Sequence, residues 1–278
     1  MEIGLIIIGD EILSGKRADK HFPKALELLQ ARGLALSWAR YVGDDRQRIT
    51  ADLRDAFAAA RAGALVFSCG GIGATPDDHT RQCAAAALER PLVLHPQARE
   101  LIIERMKEVA AEQGTPFEPE RIDNLNRLNM GVFPEDAEII PNPYNRIPGF
   151  MIGFEPVDAN VPAGSVCFVP GFPVMAWPMI EWVLDTRYAS AHGGHTDVER
   201  SVIVFGAMEA LFTPLMEAVE AAFSGVRVFS LPSVDHPQWG RHIELGVKGA
   251  RAVVDAAYPE LIAGLRAHGA NLGPEMVR

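Results

Sequence analysis

The first eighty residues alternate between apolar runs and segments of helical periodicity, joined by short connections rich in glycine and aspartate. Residues 3–8 form a continuous apolar run that is typical of a strand buried on both faces. Apolar runs return at 34–42 and 64–69, and helical spacing occupies 20–32 and 49–60. Since short strand–helix–strand units form right-handed crossovers, this order predicts a mainly parallel sheet with helices on both faces, a three-layer α/β/α domain.

The remainder of the chain predicts a longer first domain and a small second one. Helical spacing recurs at 95–113 and 173–184, a core strand is expected at 166–169, and the Pro- and Asn-rich stretch 115–146 predicts loop and short strand. After a small, polar linker, a β-α-β-β-α order predicts a two-layer α+β domain. The predicted domain bounds are 1–188 and 198–272.

Composition restricts the classes of partner. The 278 residues carry 26 basic and 36 acidic side chains, a net charge of −10. Nonspecific nucleic-acid binding depends on Lys and Arg, so we expect no nucleic-acid partner. The N-terminal apolar run is too short for a signal peptide or a membrane span, and no membrane association is expected. Three cysteines without CxxC spacing, Cys69, Cys83 and Cys167, indicate reduced, buried thiols in a cytoplasmic protein.

The segment GGIGATPDDHT at 70–80 carries the clearest chemical signal. It follows a predicted parallel strand and opens a helix, which is where open α/β sheets bind ligands. Its glycines let backbone N–H groups approach a phosphate, and the helix N-terminus favours an anion. Asp77 and Asp78 would repel a diphosphate unless a divalent cation lay between them. The same pattern also fits a tight turn followed by an ordinary helix N-cap.

Two further acidic loops favour the ligand site over the plain turn. Asp10 and Glu11 follow the first strand, and Asp44 and Asp45 follow the second. In a parallel sheet all three acidic loops lie at the same edge. Converging carboxylates beside a glycine loop indicate a metal-assisted phosphate site.

These segments resemble a known family. GDEILSG at 9–15, GGIGATPDDHT at 70–80, PNPYNRIPGF at 141–150 and PGFP at 170–173 are similar to the molybdopterin-binding-like domains. That family includes molybdopterin adenylyltransferases, molybdenum insertases, the N-terminal half of the competence/damage-inducible A proteins and a domain of eukaryotic FAD synthases. The tail, with LPSVDHPQWGRHIEL, looks like the small KH-like or α+β domain that follows in the last two.

The resemblance implies site residues as well as a fold. Asp44 and Asp78 correspond to the catalytic pair. Gly70, Gly71, Gly73 and Thr75 correspond to phosphate-binding positions of the family. Thr80 and Arg146 are further candidate phosphate- or nucleotide-binding residues of this chain. Asp44 and Asp78 are expected to hold a divalent metal, Mg²⁺, Mn²⁺ or Co²⁺, and Asp10 and Asp77 are the further candidate ligands.

The activity implied by the resemblance is metal-dependent hydrolysis of a nucleotide pyrophosphate such as ADP-ribose or FAD. Two alternatives are a non-catalytic protein that binds molybdopterin or a nucleotide, and adenylyl transfer to molybdopterin in cofactor biosynthesis. Three departures from the family pattern bear on the choice: Met175 replaces a usual glutamate, and Asn145 and Arg146 stand where the family often has Gly-Thr. Arg146 could clamp a phosphate or fill the pocket. The family also implies a homo-oligomer that binds a small nucleotide or pterin.

Other candidate sites are weaker. His192 and His195 in the linker have no carboxylate or cysteine partner in the sequence pattern, so solvated histidines are expected there. Cys69 is expected to be a packed strand residue instead of a nucleophile, and Met175 and Met179 are expected to belong to the core or a subunit contact.

Overall fold

The computed structural model describes residues 1–155, 163–193, 197–206 and 208–278. The chain divides into two compact units, Met1–Gly193 and Gly194–Arg278. The boundary therefore lies between residues 188 and 198, within the stretch whose composition predicts a linker.

The first unit alternates strands and helices from its first residues onward. Its strands are β1 (Ile3–Ile8), β2 (Trp38–Val42), β3 (Leu65–Cys69), β4 (Leu92–Leu94), β5 (Val132–Pro134), β6 (Glu138–Ile140), β7 (Gly149–Phe154) and β8 (Gly164–Val169). Its helices are α1 (Asp10–Leu13), α2 (His21–Gln30), α3 (Arg46–Arg61), α4 (Thr80–Leu88), α5 (Pro96–Glu112), α6 (Ile122–Leu128) and α7 (Pro173–Thr186). Across the described ranges, none of the helices combines the length and apolar character needed to cross a bilayer.

The central sheet has the strand order β2-β1-β3-β8-β7-β6 among the described residues. The first four strands are parallel, while β7 pairs antiparallel with both β8 and β6. Ile8 is in register with Val42, and Cys69 is in register with both Ile7 and Val169. The loops that follow β1, β2, β3 and β8 therefore leave the sheet side by side at one edge. The prediction of a mainly parallel α/β sheet is confirmed.

Helices cover both faces of the sheet because the side chains of β1 alternate between two cores. Leu5 and Ile7 pack in a cluster with residues of α2 and α7. Ile6 and Ile8 pack in a second cluster with residues of α3 and α4. Every residue of β1 is buried. The continuous apolar run in the sequence thus reflects a strand that has no solvent-facing side.

The stretch 115–146 is more structured than its composition suggests, because it contains α6, β5 and β6. The following strand, β7, was not predicted, and β2 begins at Trp38, later than the expected residue 34. Both strands are held in the sheet by pairing with neighbouring strands. Phe150 of β7, for example, stacks on Phe168 of β8 with ring centroids 4.3 Å apart. Such pairing is decided by tertiary packing and leaves little local pattern.

The second unit contains β9 (Asp197–Phe205), α8 (Thr213–Ala222), β10 (Arg227–His236), β11 (Gly240–Ala250), α9 (Arg251–Ala267) and β12 (Asn271–Val277). Its antiparallel sheet has the order β10-β11-β9-β12, with a core between the sheet and the two helices. This is the expected small α+β unit with one added strand. Strand β12 escaped prediction because Gly273 and Pro274 give it the composition of a turn.

Candidate functional site

A cavity of about 600 Å³ lies at the sheet edge where β1, β3 and β8 end. We call it the front cavity. Its polar and charged lining includes Glu11, Arg17, Asp44, Thr75, Asp77, Asp78, Asn142 and Asn145, together with the backbone of Gly9, Gly70, Gly71, Gly73 and Gly171. Its apolar lining includes Ile8, Ile72, Met130, Ile147, Pro148, Phe172 and Met175. The cavity joins a glycine loop, several carboxylates and an apolar wall.

The glycine loop turns sharply because Gly70 and Gly71 adopt φ values of 109° and 69°. A Cβ on Gly70 would lie 2.3 Å from the Ile8 carbonyl oxygen, and one on Gly71 would lie 2.2 Å from Thr80 Oγ1. The buried Thr80 hydroxyl donates to the Gly70 carbonyl at 3.0 Å, and the Thr80 N–H donates to the Gly71 carbonyl at 2.9 Å. Thr80 therefore fixes the base of the loop, and it does not line the front cavity among the described residues.

Asp78 closes the tip of the loop. Its Oδ2 accepts hydrogen bonds from the Thr75 N–H at 2.9 Å and from the Thr75 hydroxyl at 2.6 Å. The Asp78 N–H donates in return to the Thr75 carbonyl at 3.0 Å. Within the described chain, Asp78 Oδ1 accepts no hydrogen bond. One oxygen of this carboxylate thus shapes the loop, and the other is available to a ligand.

Arg81 anchors the loop from beneath, a role that the sequence pattern did not reveal. The side chain is only 4% exposed. Its Nη2 donates to the Gly73 carbonyl at 2.6 Å, and its Nη1 donates to the Asn129 carbonyl. Burial lowers the pKa of Arg81, and the charge of Asp78 opposes that shift. The one hint of this role in the sequence is that Arg81 directly follows Thr80, where the glycine segment ends and a helix is expected.

Asp10 and Asp44 join the loops after β1 and β2. The Asp10 N–H donates to Asp44 Oδ2 at 2.9 Å, and the Asp44 N–H donates to Asp10 Oδ1 at 3.1 Å. Burial raises the pKa of Asp44. The backbone hydrogen bond from Asp10 counters that rise, whereas the nearby carboxylates of Asp10, Glu11 and Asp77 add to it. The two loops therefore bring like charges together, as the parallel arrangement predicted.

A second cavity of about 630 Å³, the acidic cavity, adjoins the front cavity. It is lined by Asp10, Glu11, Leu13, Ser14, Lys16, Asp44 and Asp77. Glu11, Asp44 and Asp77 line both cavities. In the described ranges, no group of three or more His, Cys, Asp or Glu side chains is arranged to hold a metal ion. Any cation here would have to complete its coordination with ligand oxygens or water.

The opposite wall of the front cavity is built by the loop before β7. Asn142 Nδ2 donates to Asn145 Oδ1 at 2.8 Å and to the Ile147 carbonyl at 2.9 Å. Asn145 Nδ2 lies 3.2 Å from Met175 Sδ. Two of the residues that depart from the family pattern, Asn145 and Met175, thus contact each other and form a neutral wall.

Arg146 lies apart from this wall. It adopts a φ of 63°, and it forms ion pairs with Glu104 at 3.3 Å and Glu108 at 2.8 Å on α5. It does not line the front cavity as the structure describes it. The arginine that does line it is Arg17, in the loop between α1 and α2, whose N–H donates to the Glu11 carbonyl at 3.0 Å. Sequence reasoning missed Arg17, although it follows the first acidic loop closely.

The remaining candidates take structural positions. Cys69, Cys83 and Cys167 are all buried and free. Burial raises the pKa of the Cys69 thiol, which opposes a nucleophilic role. His192 Nε2 lies 3.0 Å from the Leu184 carbonyl oxygen and 3.9 Å from Asp185 Oδ1. His195 lies outside the described residues.

Comparison with known sequences assigns the first unit to a family. Residues 4–190 match the family model described as a probable molybdopterin binding domain. A CinA-like protein of Anaeromyxobacter dehalogenans (strain 2CP-C) is 32% identical over 230 residues, which cover 82% of this chain and 51% of that protein. A CinA-like protein of Syntrophotalea carbinolica is 29% identical over 230 residues, which cover 80% and 51%. The chain thus spans about half the length of these curated relatives.

A solved structure supports the same fold. The crystal structure of the protein CinA from Thermoplasma acidophilum, described as a protein of unknown function, matches with a TM-score of 0.53 and 23% identity. The match covers 66% of this chain and 98% of that one. Together with the strand order and the glycine loop, these matches show that the chain belongs to the molybdopterin-binding-like domain family and is related to the CinA-like proteins.

Proposed function

We propose that the chain hydrolyses a nucleotide pyrophosphate such as ADP-ribose or FAD with the help of a divalent metal ion. The observation that carries this proposal is the meeting of Asp44, Asp77 and Asp78 with the glycine loop around one cavity. Water would add across the P–O–P anhydride. ADP-ribose would give AMP and ribose 5-phosphate, and FAD would give AMP and FMN.

The glycine loop would bind the phosphates. Backbone N–H groups at a strand-to-helix turn stabilise charge that builds up on phosphoryl oxygens. Arg17 supplies a side-chain cation in the same lining. This local charge is needed because the chain as a whole carries a net charge of −10 and repels anions at long range.

The carboxylates fit a metal that is shared with the substrate. Mg²⁺ is commonly held by one or two carboxylates together with substrate phosphates, not by a complete protein cage. Asp44 would hold it, with Asp10, Asp77 and Asp78 as the other candidate ligands. When bound, such an ion neutralises phosphate charge and lowers the pKa of a coordinated water.

Asp44 and Asp78 each have one oxygen committed to the protein. Asp44 Oδ2 accepts the Asp10 N–H, and Asp78 Oδ2 accepts both donors of Thr75. Asp44 Oδ1 and Asp78 Oδ1 are therefore the atoms we assign to the reaction.

The apolar wall would receive the ring system of the ligand. Met130, Ile147, Phe172 and Met175 line one side of the front cavity. Thioether and aromatic side chains suit the face of a purine, flavin or pterin ring. Ring and phosphates would then bind at opposite sides of one cavity.

The direct test incubates the purified chain with ADP-ribose or FAD and Mg²⁺, Mn²⁺ or Co²⁺, and measures AMP release. We expect Asp44→Asn to reduce the rate by about 100-fold or more, since a group acting in the transition state is lost. Asp45→Asn is the matched control. Asp45 caps α3 through the Arg48 N–H, and asparagine is an equally good N-cap. Absence of AMP with all three metals, or equal activity of the two variants, would contradict the proposal.

A second candidate is a protein that binds molybdopterin or a nucleotide without turnover. Two contacts favour it: Thr75 engages one Asp78 oxygen twice, and Asn145 with Met175 makes the opposite wall neutral. Calorimetry would then detect binding of molybdopterin or AMP while no product forms. Asp78→Asn would weaken metal-dependent turnover if hydrolysis is the function, and it would leave binding intact if the chain only binds.

We also propose a cytoplasmic location and a homo-oligomeric state. Three buried, free cysteines support the location, because disulfides are rare in reducing compartments. Light scattering of the purified chain at several concentrations measures the oligomeric state. A monomer at all concentrations would contradict the second part of this proposal.

A further inference from the structure

A third cavity, of about 400 Å³, lies behind the glycine loop and has no role in the hydrolysis proposed above. We call it the rear cavity. Its lining is Arg46, Ala74, Thr75, Pro76, Asp78, His79, Arg81, Gln82, Leu92, Asn129 and Val132. Ala74, Thr75 and Asp78 line both the front and the rear cavity, so the tip of the loop forms a shared wall.

The two sides of this loop differ in charge. The acidic cavity is lined by four carboxylates and one lysine. The rear cavity is lined by two arginines, one histidine and the Asp78 carboxylate, one oxygen of which is already engaged by Thr75. A cation is favoured on the acidic side, and an anion is favoured on the rear side.

Arg81 is the strongest indication of an anion. The residue is 4% exposed, and the hydrogen-bond acceptors of its guanidinium are the neutral carbonyls of Gly73 and Asn129. Arg81 Nε is buried and has no hydrogen-bond partner in the described chain. No carboxylate in that part of the chain forms an ion pair with Arg81. Asp78 acts on Arg81 through its charge but is not ion-paired with it in the described chain. A buried charge without a paired counter-ion is costly, and an anion in the adjoining cavity would supply one.

Two helix N-termini add to this site. Arg46 is the first residue of α3, and His79 is the N-cap of α4. The starts of the two helices are adjacent, as the hydrogen bond from Cys83 Sγ to the Arg46 carbonyl at 3.5 Å shows. Helix N-termini carry partial positive charge and unpaired N–H groups. The exposed Arg46 side chain forms no ion pair with any described residue and can approach an anion.

We propose that the rear cavity is a phosphate-binding site, in which Arg46, His79 and Arg81 hold a phosphate group behind the glycine loop. Arginine suits this role because its planar fork matches phosphate oxygens. The phosphate would balance the buried charge of Arg81 and thereby stabilise the loop that shapes the front cavity. The group could be inorganic phosphate or the phosphate of a nucleotide, and the experiment separates these sources.

The test measures binding of inorganic phosphate by calorimetry in chloride-free buffer of low ionic strength. We expect Arg46→Gln to weaken binding about tenfold, the effect of losing one charged hydrogen bond. Arg54→Gln is the matched control, because Arg54 is an exposed arginine on the same helix but outside the rear cavity. Arg17→Gln tests whether the phosphate binds in the front cavity instead.

The outcomes are distinct. Loss of affinity in Arg46→Gln but not in Arg54→Gln supports the site, including when Arg17→Gln also weakens binding, because the front cavity is proposed to bind phosphates too. Equal affinities of Arg46→Gln and Arg54→Gln, loss in Arg17→Gln alone, or no binding by the unmodified chain would overturn it. Arg81→Gln is a second variant that should also weaken phosphate binding. If Arg81→Gln does not fold, the result for the exposed Arg46 still decides the test. The same titrations with AMP show which kind of phosphate binds. If Arg46→Gln weakens AMP binding as much as phosphate binding, the site takes the phosphate of a nucleotide. If Arg46→Gln weakens only phosphate binding, the site takes the inorganic ion.

The inference stands independently of hydrolysis. Arg46-dependent phosphate binding should be detected whether or not AMP is released, because Asp44 and Asp77 do not line the rear cavity. Phosphate should also raise the melting temperature of the unmodified chain more than that of Arg46→Gln, since a ligand that binds the folded state stabilises it. A chain without AMP release but with Arg46-dependent phosphate binding would contradict only the proposed function.

Discussion

Asp10 and Asp44 bind each other's backbone: each carboxylate accepts the N–H of the other residue, at 2.9 and 3.1 Å. This reciprocal pair joins the loops that follow two neighbouring parallel strands. It also keeps two negative charges close together, which contributes to the raised pKa of Asp44. The two hydrogen bonds therefore order the loops at the rim of the front cavity, although they hold two carboxylates close enough to repel each other.

Variants of Asp10 separate these two effects. Asp10→Asn keeps an acceptor for the Asp44 N–H and removes the repulsion, whereas Asp10→Ala removes both. We expect the free energy of unfolding of Asp10→Asn to exceed that of Asp10→Ala by about 1 kcal/mol, the typical contribution of one hydrogen bond. Urea unfolding of the two variants measures this difference. Equal stabilities would mean that the reciprocal bonds do not hold the loops.

Gly71 should tolerate no side chain. In Gly71→Ala the added Cβ would meet Thr80 Oγ1 at 2.2 Å in a residue with a φ of 69°. We expect a loss of about 2 kcal/mol or more in unfolding free energy, from strain and from displacement of Thr80. Gly114→Ala is the control, since Gly114 has a φ of 64° with open space around it and should lose only about 1 kcal/mol. Thermal unfolding distinguishes the two, and similar losses would argue against steric restriction at Gly71.

The ion pair between Arg32 and Asp185 should depend on pH. Arg32 Nε and Nη2 donate to the two Asp185 oxygens at 2.5 and 2.7 Å, and these hydrogen bonds hold the pKa of Asp185 below its usual value. A lowered folded-state pKa means that the contribution is present above the unfolded-state pKa of about 3.9 and is lost as pH falls below it.

We therefore expect Asp185→Asn to cost about 0.5 kcal/mol at pH 7 and less near pH 3, a small effect because Asp185 is half exposed. Urea unfolding at both pH values measures it. Lys24→Gln, which breaks an exposed ion pair with Glu27, serves as a comparison for a pair without bidentate geometry. A cost for Asp185→Asn that grows as the pH falls would refute the sign of this prediction.

Tyr188 should stabilise the first unit through its hydroxyl. The group lies 2.8 Å from Ser165 Oγ and donates to the Ala163 carbonyl at 3.2 Å, and the side chain is buried. Tyr188→Phe should cost about 1 to 2 kcal/mol, because Ser165 loses a buried partner. Adding Ser165→Ala should cost less than the sum of the two single changes. Tyr144→Phe, at an exposed tyrosine, should have no effect on chemical unfolding.

Much of the fold could be predicted because its signal is local. The apolar run of β1 follows from burial on both faces of the sheet, and the alternation of strands and helices implies parallel crossovers. The positions of the glycine loop and of the acidic loops at one edge follow from the same topology. Strand β12 was not predicted, because its partner β9 is distant in sequence and Gly273 and Pro274 give it the composition of a turn. Strand β7 was not predicted although its partners β6 and β8 are close in sequence.

The direction of a long side chain was not predictable in the same way. Arg146 looked suited to a phosphate, yet its left-handed backbone turns it to the two glutamates of α5. Arg17 and Arg81 gave almost no sequence signal, although one lines the front cavity and the other holds the loop from below. Ion pairs between elements far apart in the chain depend on how those elements pack.

The sequence alone determined which loops gather at the sheet edge, because strand burial and crossover handedness are properties of the local pattern and of chirality. Tertiary structure alone decided which charges those loops present. Packing turned Asp78 onto Thr75, placed Asn145 against Met175 and buried Arg81 beside an open cavity. The physical reason is range: hydrophobic periodicity acts over a few residues, whereas hydrogen bonds and ion pairs depend on distances that only the folded chain sets.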